Sequence, residues 1–596
     1  MKLKVSIYFF SAFIAIFIAF LAFDSEKMRL LYDDTIFWFL TLSCFLWIVS
    51  VLKSLDTCEK DSLDVIFSGF FQQVKTFCIN HWLAVFLSII IMTFGTMVFK
   101  QDYRVLGDET VLLLESQSLY ETKKSSVNTV VMYRNDGGKD ILGQHPSKRP
   151  ALFVYLVSLL HSLTGYRETN PFVLNYILGC LSLFLFYYLI YILFDKFWGI
   201  NALICLAAYP IFIIYVNTAG FDIFNLMCSL VFLICVYKFI KNPDAIRAEI
   251  LLFWLPLISQ SRYESIISLF IGMGIVFSLL PRKEYSLLSY RLVFFPFLFV
   301  PPAWLRLTTN DASEWQVENM EAAFSINNLV MNLKQAFIYS LSNDKAYGIV
   351  PIITILGLIG LIFLIIYILF KKSFPSLFVF SDNIRSNFSF NLFMNSLLSF
   401  YLLHGIIKFS YKLSDLIWDV YARRHCLVFI PFFIMMAIYF IVVCCHKFNF
   451  KRINISIITC FLLLAHWSGS VDANCGVNDM PAFLELKYTK RFLQENYPNK
   501  REYSLISQKP SFYVPFGYSS LNFNSFNNDA YKDIVMSYYY DKTINYFLVI
   551  QYIDPKNKMA HKGNEMPKNL EGEIVYENLF NGDICLRISK CVPKKI

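Results

Sequence analysis

The sequence predicts an α-helical polytopic membrane protein of about thirteen transmembrane helices with a small α/β extracytoplasmic domain at the C-terminal end. Of its 596 residues, 56% are hydrophobic and only 16% are charged, and the mean hydropathy is +0.50. A soluble chain of this length would not carry so much apolar surface. Much of the apolar sequence is gathered into runs of about 17–23 residues, the length that crosses a bilayer core.

Eleven runs are read as spans, and two shorter runs are read as a pair. The eleven are residues 5–23, 35–52, 82–99, 172–194, 200–216, 223–239, 292–305, 349–370, 390–409, 426–445 and 453–467. The short pair is 251–259 and 265–280. The first run follows two lysines and lacks a small-x-small cleavage site, so we expect a retained signal anchor rather than a cleaved signal peptide.

Charge orients these spans. With the N-terminus in the cytoplasm, the short linkers on that side are basic, as the positive-inside rule requires. The net charge of +9 therefore needs no nucleic-acid partner. The long polar segments 100–170, 308–348 and 410–424 and the tail from residue 468 fall on the outer side.

One apolar run, residues 151–164, is about 14 residues long and too short to span comfortably. Pro150 precedes it and Gly165 follows it, which are helix start and stop signals. If it crossed the membrane, Lys196, Lys238 and Lys241 would move outside. We therefore expect a helix lying in the membrane interface, within the first outer loop (100–171).

Composition divides the chain into a membrane domain, residues 1–470, and an extracytoplasmic domain, residues 471–596. The second part is polar and rich in tyrosine, with a helical pattern at 481–496. Short strands are predicted at 502–506, 546–551, 573–576 and 584–588. Cys585 and Cys591 lie in this part, and whether they form a disulfide in an oxidising compartment is left open.

The most distinctive motif is an acidic turn, Gly107-Asp108-Glu109, at the start of a helix-like stretch in the first outer loop. Two carboxylates beside a flexible glycine can bind a cation or accept a proton. The alternative is local: Asp108 caps the next helix and Glu109 favours its positive end.

A second acidic position, Asp222, closes the outer linker 217–222 at the edge of a span. A charged side chain costs roughly 2.5–3.5 kcal/mol at the centre of a membrane helix. We therefore expect Asp222 to face polar groups, a cation or water. Another helix cap is the alternative.

Cationic candidates accompany these acids on the outer side. Arg423 and Arg424 open a late span and can grip a phosphate through forked hydrogen bonds, unless they only snorkel to lipid head groups. Arg262 lies between the two short spans and can pair with Glu264. Lys148 and Arg149 precede the interfacial helix, and we count them with Arg262 as substrate-binding candidates.

Histidines in apolar stretches, His161, His404 and His466, are expected to be structural. No phosphate-loop glycine motif, dinucleotide fingerprint or nucleophile elbow occurs in a suitable context. The chemistry would then come from carboxylates and cations at the outer interface. The simplest donor there is lipid-linked, because nucleotide sugars are made in the cytoplasm.

Four motifs in this order resemble the GT-C superfamily of membrane glycosyltransferases, which includes protein O-mannosyltransferases, lipid A aminoarabinose transferases and oligosaccharyltransferases. The motifs are residues 107–109, 145–156 with 163–165, 217–222 and 423–431. The second outer loop carries one acid where oligosaccharyltransferases usually carry two. The tail has no Trp-Trp-Asp-type acceptor motif, which argues against that subgroup.

The resemblance implies a GT-C-like fold and inverting transfer of a sugar from a polyprenyl-phosphate donor to an envelope glycan, lipid or protein acceptor. Asp108 would be the general base. Glu109 and Asp222 would orient the acceptor or hold a divalent cation such as Mg²⁺ or Mn²⁺, and Asp108 is a further candidate ligand beside Asp222. Arg423 or Arg424 would stabilise the departing lipid phosphate.

Two other classes share some of these features. O-antigen polymerases and ligases also have many spans and a large outer loop, but they rely chiefly on Arg and His there. Transporters tend to place charges at mid-membrane between repeated halves, whereas here the charges lie at span ends and no repeat is evident. The small outer domain and the absence of an ER-retrieval signal favour a bacterial inner membrane.

Overall fold

The computed structural model describes most of the chain. It covers residues 2–55, 72, 75–77, 79–134, 138–309, 325–341, 350–370, 388–411, 423–448, 452–470, 481–523, 529–561, 563–580 and 584–594. Most of the predicted outer segment 410–424, and residues 310–324 and 342–348 of the segment 308–348, lie outside these ranges.

The described residues are mostly helical. In chain order the helices are α1 (Lys2–Phe20), α2 (Ser25–Leu55), α3 (Trp82–Val98), α4 (Leu106–Thr122), α5 (Leu152–Thr164), α6 (Asn170–Leu193), α7 (Lys196–Ala208), α8 (Pro210–Val216), α9 (Asp222–Lys241), α10 (Ala245–Ser259), α11 (Ile267–Leu279), α12 (Val300–Thr309), α13 (Ile326–Leu341), α14 (Pro351–Phe370), α15 (Phe388–Ser410), α16 (Arg423–Cys426), α17 (Ile430–Phe448), α18 (Arg452–Ser470), α19 (Pro481–Asn496) and α20 (Asp529–Tyr540).

Two compact units are formed. The helical unit comprises Met1–Asp102, Lys148–Phe153 and Phe172–Asn474. The sheet unit comprises Tyr103–Ser147, Val154–Pro171 and Cys475–Ile596. The sheet unit thus takes residues from the first predicted outer loop as well as from the tail.

The helical unit contains long apolar helices of the kind that a polytopic membrane protein requires. Within the described ranges, five helical stretches are long and apolar enough to cross a membrane. The bent pair α7–α8 makes a sixth if it counts as one span; its axes differ by 73°. The bend falls at Tyr209-Pro210, because proline lacks an N–H and disfavours helix at the residue before it.

Shorter apolar helices, α1, α3, α5, α14, α18 and the stretch ending in α11, account for further predicted runs. The helical, multi-span architecture is confirmed, while the number thirteen stays a prediction. The predicted helix at 151–164 is also confirmed as α5, and its position in the membrane interface stays a prediction.

Close backbone packing holds α14 against α17. A Cβ on Gly357 would lie 2.6 Å from the carbonyl oxygen of Phe433, and one on Gly360 would clash with the Met436 carbonyl. Glycines three residues apart on one helix face let two helices approach this closely, as is common inside membranes.

Helix α13 has its polar and apolar faces exchanged relative to a water-soluble helix. Asn328 and Asn332 are buried, whereas Val330, Phe337 and Ile338 are exposed. The Asn332 side-chain amide donates to the carbonyls of Phe409 (2.8 Å) and Tyr411 (2.7 Å). The predicted outer segment 308–348 therefore includes a helix whose exposed face is apolar. The segment is polar on average, so its overall composition does not reveal this face.

The sheet unit is built on one seven-stranded sheet. Its strands are β1 (Ser126–Tyr133), β2 (Lys139–Pro146), β3 (Tyr503–Ser507), β4 (Ser520–Asn522), β5 (Tyr546–Ile553), β6 (Leu570–Phe580) and β7 (Ile584–Pro593), in the order β2-β1-β4-β3-β5-β7-β6. β3 is parallel to β4 and β5, and the other pairs are antiparallel.

The predicted helix at 481–496 and the four predicted tail strands are confirmed as α19, β3, β5, β6 and β7. Strands β1, β2 and β4 were not predicted. Register shifts interrupt the β1–β2 pairing at Asn128 and Val130, and such bulges break the two-residue alternation that reveals a strand in sequence.

Cys585 and Cys591 are both free thiols. They lie on the same strand, β7, six positions apart, which separates their Cα atoms by about 20 Å. A disulfide requires a separation below about 7 Å. The fold therefore precludes a bond between these two cysteines.

Candidate functional site

The helical unit contains a buried group of ionisable side chains, which we call the charged cluster. Three cations, two carboxylates and two histidines form it. They are Arg262, Lys408, Arg424, Asp222, Glu264, His404 and His425.

Breaks and ends of apolar helices position these residues. Asp222 is the first residue of α9, where the positive end of the helix dipole favours a carboxylate. Arg262 and Glu264 lie in the short break between α10 and α11, which includes a 3₁₀ turn. His404 and Lys408 are four residues apart on α15, so they share one face of that helix.

Arg262 is the centre of the charged cluster, and its side chain is 6% exposed. One terminal nitrogen donates to the Asp222 carboxylate. Its Nε lies 2.9 Å from Glu264 Oε1, and its other terminal nitrogen lies 3.4 Å from His425 Nδ1. A hydrogen bond, an ion pair and a neighbouring histidine therefore restrict the guanidinium.

Glu264 links Arg262 to α15. Its Oε1 atom lies 2.9 Å from Lys408 Nζ and 3.8 Å from His404 Nε2. Both Glu264 and Lys408 are buried, so the pair exists outside bulk water, where breaking it is costly.

The charged cluster gathers several cations away from bulk water. Besides its histidines, its described members are three cationic and two anionic side chains, all at least partly buried. Cations held in such surroundings attract an anion strongly, since the surrounding dielectric screens little. Its composition suits a phosphate group.

The surroundings of Asp222 do not fit a divalent cation. Asp222 already faces Arg262, and its Oδ2 atom lies 3.9 Å from Arg424 Nη1. Two guanidiniums repel a metal ion, and within the described part of the chain no group of three His, Cys, Asp or Glu residues could hold one. We therefore derive no chemical step through Mg²⁺ or Mn²⁺. Asp108 as a metal ligand stays a prediction.

Tyr263 ties the segment that carries Lys148 and Arg149 beside the cluster. Its hydroxyl donates to the carbonyl of Lys148. Arg306 donates to the carbonyl of Tyr263 and lies 4.8 Å from the centre of its ring. The N–H of Ala151 also donates to the Gln260 side chain at 3.2 Å. The segment 148–151 is thus tied beside the break that carries Arg262.

The structure brings Asp222, Arg262 and Arg424 together. The sequence had placed them only on the same predicted side of the membrane. The predicted Arg262–Glu264 pair is present, and Asp222 faces cations as expected. Arg149 is half-buried next to Lys148. Arg423 lies on α16, and its side chain is outside the described residues.

Sequence reasoning missed Lys408 and His404 as partners of Glu264. A lysine within the apolar run 390–409 was the available signal, because an ionisable residue inside a membrane segment is a functional hypothesis by default. Its position near the end of the run made snorkelling an equally good explanation. The expectation that His404 is merely structural also overlooked its place beside Glu264.

The acidic turn lies in the sheet unit and starts α4. Val105 is the N-cap and offers no side-chain hydrogen bond. Asp108 is the third helical residue, so it is not the N-cap that the local interpretation required. Asp108 is half-buried beside exposed Gly107, where an added Cβ would meet nothing within 4 Å.

Glu109 has a different environment from Asp108. It is 2% exposed, and its Oε2 atom accepts hydrogen bonds from the N–H groups of Arg104 (2.7 Å) and Val105 (3.3 Å). A side chain that reaches back to the chain before its own helix satisfies donors that would otherwise lack partners. Glu109 therefore fixes the shape of the turn that presents Asp108.

Neutralising Glu264 will destabilise the protein more than removing Glu264 and Lys408 together. Glu264→Gln leaves the Lys408 ammonium buried beside an uncharged amide, which costs about 3–5 kcal/mol for a fully buried pair. The double variant Glu264→Gln/Lys408→Met removes that stranded charge and will recover at least half of the loss. The midpoint of thermal unfolding of the purified protein measures both.

Glu495→Gln is the control for this comparison. It disrupts the Arg491–Glu495 pair, whose side chains are 74% and 58% exposed, and it will leave the midpoint unchanged. A double variant less stable than Glu264→Gln alone would contradict the interpretation, because Lys408 would then stabilise the fold without its carboxylate.

No protein-family model matches the sequence, and no curated protein matches it. Among solved structures, the chain is similar to ArnT from Cupriavidus metallidurans bound to undecaprenyl phosphate. That similarity has a TM-score of 0.45 and 10% identity, and it covers 86% of this chain and 98% of that chain.

A second similar structure is the archaeal oligosaccharyltransferase AglB from Archaeoglobus fulgidus, in complex with an inhibitory peptide and a dolichol-phosphate. Here the TM-score is 0.42 and the identity 11%, over 82% of this chain and 75% of that chain. Both proteins belong to the GT-C superfamily, which the sequence motifs resemble.

Proposed function

We propose that this chain is a membrane glycosyltransferase that moves a sugar from a polyprenyl-phosphate carrier to an acceptor of the cell envelope, with inversion. The observation that carries the proposal is the charged cluster around Arg262, where the cations Arg262, Lys408 and Arg424 gather at buried or half-buried positions. A lipid-linked phosphate is an anion that can reach such a cluster from the bilayer.

The cluster suits the leaving group of this reaction. As transfer proceeds, the bond between the anomeric carbon and the phosphate oxygen breaks, and its electron pair stays on that oxygen. The phosphate goes from a diester with one negative charge to a monoester with up to two. Arg262 and Arg424 would stabilise the charge that develops, and cations fixed beforehand do this best.

Glu264, Lys408 and His404 would act behind Arg262. Glu264 contacts Arg262 at Nε and Lys408 on α15. It therefore holds the guanidinium next to that helix. We assign these three residues a positioning role. Lys148 and Arg149 would add positive charge near the same phosphate, since the carbonyl of Lys148 accepts from Tyr263, the neighbour of Arg262.

Asp108 would be the general base. A carboxylate can take the proton of the acceptor hydroxyl while the new C–O bond forms. Attack opposite the departing phosphate inverts the anomeric centre. Glu109 would hold the turn through its two backbone hydrogen bonds. The half-buried state of Asp108 leaves it partly open to solvent and substrate.

The reaction would occur on the outer face of a bacterial inner membrane, with the N-terminus in the cytoplasm and the C-terminal domain outside. This orientation follows from the basic short linkers of one side and the long polar segments of the other. The acceptor would be an envelope glycan, lipid or protein.

Transfer from a defined donor tests the function directly. The purified full-length protein in nanodiscs is given polyprenyl-phosphate donors that carry radiolabelled sugars, with envelope extract as acceptor. We expect label in the acceptor and one free polyprenyl phosphate, detected by mass spectrometry, for each sugar moved. Arg491→Ala, an exposed change on α19, is the control and will transfer normally. Transfer from polyprenyl-diphosphate donors alone would instead favour a polymerase or ligase.

A further inference from the structure

The sheet unit contains an open cleft of about 460 Å³ that the proposed chemistry does not use. One wall is residues 166–169, which follow α5. The other walls come from α19 and from residues 500 and 515–517. We call it the basic cleft. Its volume lies in the range of small-ligand sites.

The basic cleft carries more positive than negative charge. Arg167, Lys490 and Lys500 line it together with one carboxylate, Glu168. Lys490 Nζ lies 3.3 Å from Glu168 and 3.5 Å from the centre of the Phe516 ring.

Lys500 is held deeper in the wall. Its Nζ donates to the carbonyl of Phe516 at 2.7 Å and lies 4.4 Å from the ring centre of Tyr518. Burial lowers the pKa of Lys500, because a desolvated ammonium is less stable than a hydrated one. An anion bound beside Lys500 would stabilise the ammonium charge that burial destabilises.

The walls are fixed without a ligand. The Tyr166 hydroxyl donates to the Pro515 carbonyl at 2.8 Å and joins one wall to the other. Behind residues 166–169, buried Asn170 lies 2.7 Å from His161 Nδ1 and donates to Thr164 Oγ1 at 2.9 Å. Gly165, between Thr164 and Asn170, adopts the left-handed conformation of this turn with a φ of 78°. A preformed site loses little entropy when it binds.

The lining suits a sugar better than an acyl chain. Thr169 and Gln494 add a hydroxyl and an amide to the charged groups, and these can pair with sugar hydroxyls. An alkyl chain would leave the same groups without hydrogen-bond partners, which is costly.

We propose that the basic cleft binds an anionic carbohydrate, with a phosphate or carboxylate between Lys490 and Lys500 and hydroxyls on Thr169 and Gln494. The anionic group takes the place of Glu168 beside Lys490. The carbohydrate is the glycan part of the acceptor, and in this respect the inference rests on the proposed function. Binding itself does not require transfer to occur.

Saturation-transfer NMR on the full-length protein in nanodiscs tests this inference, since it detects weak binding. The probes are glucose 6-phosphate, glucuronate and glucose, and inorganic phosphate is the competitor. We expect signals from either anionic sugar and none from glucose. Comparison of glucose 6-phosphate with glucuronate shows whether phosphate or carboxylate is preferred. Lys490→Met/Lys500→Met will raise the apparent Kd at least about tenfold, since each lysine contributes a charge-assisted contact.

Lys590→Met is the matched control. Lys590 also lies over an aromatic ring of the sheet unit, 4.5 Å from the centre of Tyr546, and it does not line the cleft. It will leave binding unchanged. Thr169→Ala/Gln494→Ala keeps the charges and will weaken the sugar signal while inorganic phosphate competes as before.

Three results would overturn the inference. They are equal signals from glucose and glucose 6-phosphate, unchanged binding in the double lysine variant, and an unchanged glucose 6-phosphate signal in Thr169→Ala/Gln494→Ala, which would indicate a plain anion site. Sugar transfer by a protein that binds no carbohydrate in the cleft would contradict this inference alone. Carbohydrate binding in the cleft without any sugar transfer would contradict the proposed reaction and still support the binding site.

Discussion

Arg262→Ala will lower kcat/KM for sugar transfer by at least about 100-fold, the usual effect of losing one preorganised group that stabilises developing negative charge. Arg262 contacts Asp222, Glu264 and His425, so no neighbour can move into its place without giving up its own partner. Arg262→Lys will recover only part of the activity, because an ammonium cannot span the same set of partners.

Arg291→Ala is the control that distinguishes a loss of catalysis from a loss of protein stability. Arg291 also pairs with a buried carboxylate of the helical unit, Glu249, at 2.9 Å, but it lies outside the charged cluster. We expect the two alanine variants to lose similar thermal stability and only Arg262→Ala to lose transfer. Equal loss of transfer in both would show that Arg262 has a structural role only.

Asp108→Asn will lower the rate of transfer by about 10²–10⁴-fold, the range for removing a general base. Asparagine keeps the size of the side chain at the third position of α4 but cannot accept the acceptor's proton. Binding of the polyprenyl-phosphate donor will be unchanged, since Asp108 is assigned to the acceptor. Single-turnover rates and donor affinity, measured on the same preparation, test both statements.

Two further variants make the Asp108 result specific. Glu121→Gln alters a carboxylate at the other end of α4, one that pairs with Lys139, and it will transfer normally. Glu109→Gln weakens the hydrogen bonds to Arg104 and Val105 and will lower thermal stability as well as rate. Full activity in Asp108→Asn would exclude Asp108 as the base.

The sequence predicted those parts of the site that a charge and its immediate neighbours determine. The Arg262–Glu264 pair is two residues apart in the chain, and the cost of an unpaired acid at a span edge predicted polar groups, a cation or water beside Asp222. Which cations approach Asp222 depends on the packing of α9 against distant helices. The same holds for Glu264: the position of Lys408 in an apolar run marked it as unusual, but no local pattern paired Lys408 or His404 with Glu264.

The fold, like the site, was predicted only where local sequence patterns determine it. Apolar runs and strand patterns report whether a segment is buried, and they located most helices and four tail strands. They do not report what a segment pairs with. β1 lies next to β4, and the polar average of residues 308–348 concealed α13, whose exposed face carries Phe337 and Ile338.

The pairing of β1 with β4 sets an order of events during synthesis. The N–H of Tyr133 donates to the Ser519 hydroxyl at 2.9 Å, across 386 positions of the chain. Ribosomes add about 5–20 residues per second, so the β1–β2 hairpin waits roughly 20–80 s for its neighbour. Through that interval the open edge of β1 can pair with other chains. Expression at lower temperature lengthens the wait, and a nonsense mutation before codon 520 makes it permanent.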